Sequence, residues 1–143
     1  MNPSDPSKTV ASSRVNDPVL VIMFQQRFAA DVRHGWKTQT IRPYGRRALP
    51  QMGQRVSLRQ WSGKPYRSPQ VTLRQTRLSL VQGFRADWQA RQVWVGGILL
   101  EGAAVDDFAR ADGFTDAVAM ASWFLANHKG TEFEGFVMHW PAL

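Results

Sequence analysis

The strongest constraint on this chain is residues 19–42, VLVIMFQQRFAADVRHGWKTQTIR, where three patterns follow one another without a gap. Residues 19–24 are uniformly apolar. Six residues suit a buried strand and fall far short of a membrane span. Phe24, Phe28, Val32 and Trp36 then recur every four residues with Ala29 beside them, which predicts a short helix with one apolar stripe. Gly35 stands where helices commonly end in a left-handed residue, and His34 in the last turn suits the negative end of the helix dipole. Polar and charged groups then crowd into Lys37-Thr38-Gln39-Thr40-Ile41-Arg42. A short segment held between rigid neighbours is where a scaffold usually carries its working residues.

The remaining segments predict a mixed α+β chain. Residues 1–17 are rich in Ser, Pro, Asn and Asp with little to bury, and read as a flexible leader to a single domain over residues 18–143. Residues 43–50 carry proline at both ends and a central glycine, the punctuation of a loop. Residues 54–61 alternate, with Val56 and Leu58 on one side and Arg55, Ser57 and Arg59 on the other. Residues 70–81 alternate as well but change phase, which predicts a β-bulge near Gln75 and Thr76. Arg74 and Arg77 then join Arg55 and Arg59 as either a stripe that tracks a polyanion or a solvated face. Residues 83–90 fit a turn with Trp88 packing back. Gly96-Gly97 marks a tight hairpin within residues 92–100. Residues 102–111 predict a helix with Val105, Phe108 and Ala109 inward, closed by Asp112-Gly113. A last helix over residues 116–127 has Thr115 as its expected cap and Val118, Ala121, Phe124 and Leu125 as its buried side. Residues 133–140 read as a central strand.

At 143 residues, 43% of them hydrophobic, the chain can bury roughly two-thirds of its unfolded surface in one core. It has no cysteine, so disulfides, thiolate nucleophiles and zinc–cysteine sites are excluded, and a cytoplasmic setting is expected. No secretory leader or membrane helix is legible. The net charge of +7 is unevenly spread. Residues 1–91 hold 16 Lys and Arg against four Asp and Glu, or +12; residues 92–143 hold two against seven, or −5. Such asymmetry points to a polyanionic partner or a steering field.

No phosphate-binding loop, dinucleotide glycine pattern, nucleophile elbow or zincin helix occurs. His34, His128 and His139 lack cluster spacing, so no metal site is expected. What remains is Lys37 with Thr40 and an acid. A threonine hydroxyl needs a neighbour to take its proton, and a lysine can do so where burial and nearby cations lower its proton affinity. Residues three apart in extended backbone face opposite ways, so the two meet only if the chain turns between them. The alternative is a polar strand start whose hydroxyls satisfy backbone groups.

The apolar strand, the Phe24–Phe28 spacing and the run Gly35, Lys37, Thr38, Thr40, Ile41, Arg42 resemble the ASCH domain of the PUA-like superfamily. Asp112-Gly113-Phe114 before the last helix and the closing run from Phe133 to Trp140 are similar too. The resemblance implies a small PUA-like β-barrel with peripheral helices. It also implies that the 43–50 loop borders a binding cleft, with Thr38, Arg42, Arg46 and Arg47 contacting substrate or RNA. Tyr44 is then a stacking platform, or packs over its own loop. One branch of the family removes the acyl group from N4-acetylcytidine with a Lys, a Thr and a Glu, which correspond to Lys37, Thr40 and Asp112. Here the acid is Asp, one methylene shorter; Glu101 adjoins the hairpin and is a poorer match. The implied partner is a modified pyrimidine nucleoside or RNA, with no cofactor. Two alternatives stand beside hydrolysis: a module that only holds RNA, and a metal-independent ribonuclease.

Overall fold

The computed structural model describes residues 18–143, so the expected leader lies outside the described residues. The chain is α+β. Its strands are β1 (Val19–Met23), β2 (Gln39–Pro43), β3 (Arg55–Trp61), β4 (Gln70–Arg77), β5 (Leu80–Asp87), β6 (Gln92–Val95), β7 (Ile98–Leu99) and β8 (Glu132–His139). Its helices are α1 (Gln26–His34), α2 (Ala103–Ala111) and α3 (Ala117–Asn127).

The strands do not close into one barrel. They divide into a three-stranded sheet, β1-β3-β4, and a five-stranded sheet, β2-β8-β5-β6-β7. The division falls at Leu78 and Ser79. Leu78 exchanges backbone hydrogen bonds with Gly53 and Gln54 beside the first sheet, whereas Ser79 donates to the His139 carbonyl in the second. This change of sheet accounts for the phase change in residues 70–81. The expected bulge at Gln75–Thr76 is absent; the register instead shifts between Leu58 and Arg59, where Leu73 is the extra residue on β4. Residues 83–87, expected in a turn, continue β5 along β8, and Trp88 then turns inward and is buried.

The helices follow their apolar spacing, with corrections at the ends. In α1 the buried residues are Phe28, Ala29 and Val32. Phe24 is buried ahead of the helix, while Trp36 lies past its end and is 69% exposed. Gly35 takes the left-handed conformation, φ 81°, as its position predicts. The N-cap of α3 is Asp116, not Thr115: its carboxylate accepts the Ala119 N–H at 2.8 Å. Met120, Ala121 and Phe124 are the buried residues of α3, and Val118 and Leu125 face solvent.

β8 lies between β2 and β5, as its apolar character requires. An aromatic cluster joins α2 and α3 to this sheet: Phe108 stacks on Phe84 at 5.7 Å and Trp88 on Phe124 at 4.6 Å. Each ring adds packing beyond its area, so the cluster is a rigid floor beneath the end of α2.

Candidate functional site

The connector from α1 to β2 is tied down from three directions. The N–H groups of Trp36 and Lys37 both donate to the Asp31 carbonyl, at 2.9 and 3.0 Å. Thr38 N–H donates to the Ala111 carbonyl at the end of α2, at 2.9 Å. The carbonyls of Thr38 and Lys37 accept from the backbone and the indole of Trp140, at 3.0 and 3.1 Å. The Lys37–Thr38 connector is therefore held by α1, α2 and the end of β8, and the chain enters β2 at Gln39.

Two glycines allow the close approaches. A Cβ at Gly135 would lie 2.1 Å from the Arg42 carbonyl oxygen, so glycine lets β2 and β8 come together beside Arg42. Gly113 has φ +94°, and a Cβ there would lie 3.2 Å from Lys37 Cδ. It both turns the chain after Asp112 and leaves room for the lysine stem.

Lys37, Gln39, Thr40 and Asp112 are all buried. Lys37 Nζ donates to the Asp112 carbonyl oxygen and lies 3.6 Å from its carboxylate Oδ2. Gln39 Nε2 donates to Asp112 Oδ1 at 3.3 Å and to the Phe108 carbonyl at 3.4 Å, which orients the carboxylate. Arg42 Nε donates to Thr40 Oγ1 at 3.2 Å, and its Nη2 is anchored on the Met23 carbonyl at 2.8 Å. The Lys37 ammonium sits 4.8 Å from the Phe28 ring centre, and the Arg42 guanidinium 5.2 Å from that of Phe24.

Except for Gln39, these side chains share one cavity of about 360 Å³, within the range of small-molecule sites. Lys37, Thr40, Arg42 and Asp112 are among its polar lining residues, with Gln25, Asn127 and His128; Phe24, Phe28, Phe114 and Trp123 are among its aromatic walls. Burial in this apolar setting, opposed by Asp112 and reinforced by Arg42, lowers the Lys37 pKa to about 8. Burial raises the Asp112 carboxyl above its ordinary value, against the opposing influence of Lys37 and the Gln39 hydrogen bond. The site thus holds an amine that releases its proton near pH 8 beside a carboxyl that retains its own more readily.

Among the residues predicted from sequence, Lys37, Thr40, Arg42 and Asp112 meet in this cavity. Thr38 is fixed by its backbone and is not one of the cavity's lining residues. Arg46 and Arg47 instead line a second groove of about 570 Å³ with Leu20, Ile22 and Met138, across the wall formed by Met23, Arg42 and Pro43. Tyr44 packs on Phe136, ring centres 5.9 Å apart, and remains 53% exposed. Its ring therefore lies against β8, a contact that neither alternative named. Sequence reasoning missed Gln39, whose signal was its spacing of two from Lys37. It also missed the contact of Arg42 with Thr40, which has the same spacing.

Comparison with family models, curated proteins and solved structures gave no match. Among the described residues, no group of three or more His, Asp or Glu is placed to hold a metal ion, and no helix is long and apolar enough to cross a membrane.

Proposed function

We propose that this chain is an ASCH-type, PUA-like protein that hydrolyses the amide of an N4-acylated cytosine or cytidine in the Lys37–Thr40–Asp112 cavity. One observation carries the reading: an amine and a hydroxyl from one short segment and a carboxyl 75 residues from the amine line one small aromatic-walled cavity. The aromatic walls suit a flat pyrimidine, and the polar wall suits its acylated amine.

In this reading Thr40 Oγ attacks the acyl carbonyl carbon as its proton passes to neutral Lys37. Arg42, held beside Thr40, is the cation nearest the charge that develops on the carbonyl oxygen. Collapse breaks the C–N bond, and the N4 amine leaves with the proton carried by Lys37. Water then cleaves the acyl–threonine ester, releasing the carboxylic acid and restoring the hydroxyl. Asp112 holds Lys37 in place and is the reserve proton donor.

Incubation of pure protein with N4-acetylcytidine tests this. Release of cytidine and acetate, lost in Lys37→Met and Thr40→Val, is the expected result. No cytidine at high enzyme and long times overturns it for that substrate. A second reading, a module that holds RNA without chemistry, draws on the groove lined by Arg46 and Arg47. It predicts RNA retention that falls steeply with salt and weakens when both arginines become glutamate.

A further inference from the structure

The β3–β4 hairpin carries a second surface, apart from both the cavity and the arginine groove. Its loop is closed by Ser62 N–H to the Pro69 carbonyl at 2.9 Å and by Gly63 N–H to Ser68 Oγ at 2.9 Å. Ser68 Oγ in turn donates to the Lys64 carbonyl at 2.8 Å, so the loop is internally braced. On this frame Tyr66 is held at φ 64°, a left-handed conformation that a bulky residue rarely adopts. Its ring is 88% exposed and rests against Trp61, ring centres 5.1 Å apart. A strained backbone that presents an aromatic ring to solvent calls for a use.

The surroundings set the sign of the partner. Residues 32–86 contain no Asp or Glu and 12 Lys and Arg. Lys64 and Arg67 flank Tyr66 and are exposed, and Arg59 on β3 is held by Ser57 and Gln70, both at 2.8 Å. No carboxylate in this part of the chain offsets them. The hairpin also stands at the cavity's end of the sheet: Met23 pairs with Arg59, and Phe24 N–H donates to the Arg59 carbonyl at 2.8 Å. Met23 and Phe24 both line the cavity.

We propose that this hairpin is a binding surface for single-stranded nucleic acid, with a base stacked on Tyr66 and Trp61 and the backbone phosphates met by Lys64, Arg67 and Arg59. Stacking on an exposed aromatic beside cations is how single strands are held without sequence preference. A membrane surface is the other partner of basic aromatic loops. Tyr66 is the only large apolar side chain between Ser62 and Pro69, however, too little apolar area for insertion. The inference does not depend on whether the cavity hydrolyses anything.

Fluorescence anisotropy of the full chain with a labelled oligouridylate tests it, with polyphosphate and anionic phosphatidylserine vesicles as parallel probes. Binding of the oligonucleotide should weaken steeply with salt. Tyr66→Phe should bind as the wild type does, and Tyr66→Gly should lose about tenfold in affinity. Glycine accepts this φ without strain, so Tyr66→Gly should melt no lower than the wild type. Loss of affinity without loss of stability separates a contact from a structural role. Hydrolysis of free N4-acetylcytidine should be unchanged in Tyr66→Gly. Equal oligonucleotide affinity in Tyr66→Gly and wild type, competition by polyphosphate as strong as by oligonucleotide, or binding to the vesicles alone overturns the proposal.

Discussion

Lys37 carries two opposed demands. As a buried cation it destabilises the fold, and as a neutral amine it can serve as a base. With its pKa lowered to about 8 from 10.5, the unfolded chain binds more protons than the folded chain between those values. Stability contributed at this residue therefore rises with pH across that window. Asp112 acts in the opposite sense: its carboxyl is raised above 3.8, so its contribution falls as pH rises through its own range. Urea midpoints measured on either side of pH 8 should show the alkaline gain in wild type and lose it in Lys37→Met. The same titration should appear in catalysis, the rate climbing with pH and levelling above about 8. Arg42→Gln should lower that rate about a hundredfold, as loss of a charged donor at a reacting oxygen does. Because Arg42 also depresses the Lys37 pKa, the inflection should move to higher pH. A lower rate with an unmoved inflection would separate the two roles and remove the electrostatic one.

At the scale of elements, the site depends on where chain segments end. α1 stops at Gly35, α2 at Asp112 and β8 at Trp140, and all three ends grip the Lys37–Thr38 connector. The first of these was legible in sequence, because a left-handed glycine and an i, i+4 apolar spacing are local signals. The Gly96-Gly97 hairpin, the helical span of α2 and the central position of β8 were legible for the same reason. The pairing of Lys37 with Asp112 was not legible from local pattern, since 75 residues separate them and only the resemblance brought them together. The change of sheet at Leu78 was misread because alternation records which face is buried, not which sheet buries it. Trp36, Val118 and Leu125 were misplaced because periodicity cannot say where a neighbouring surface stops. Gly135 gives the sharpest test at this scale. A Cβ 2.1 Å from the Arg42 carbonyl cannot be absorbed by a rotamer change, since its neighbour is backbone. Gly135→Ala should lose about 3 kcal/mol or more in equilibrium unfolding and release Arg42 from Thr40. A loss below about 1 kcal/mol would show that β2 is not held against β8 in this way.

At the scale of the whole molecule, charge is unevenly spread along the chain. Sixteen of the 18 basic residues fall in residues 1–91, which supply the three-stranded sheet, α1, β2, β5 and the arginine loop. Seven of the 11 acidic residues fall in residues 92–143, in or beside α2, at the N-cap of α3 and in β8, and Asp112 lines the cavity. A substrate carrying a phosphate should therefore be captured faster than the neutral nucleoside. The ratio of kcat/KM for N4-acetylcytidine 5′-monophosphate to that for N4-acetylcytidine should exceed one at low salt and decline as salt rises. A ratio independent of salt would mean that the charge asymmetry does not act at this cavity.

The proposed covalent step has a direct test. Protein mixed with excess N4-acetylcytidine, quenched in acid within the first turnovers and digested, should yield an acetylated peptide whose modification maps to Thr40. That peptide should be missing from Thr40→Val and scarce in Lys37→Met. Cytidine formed with no acyl group ever found on Thr40, or an acyl group found equally in Thr40→Val, contradicts threonine as the nucleophile.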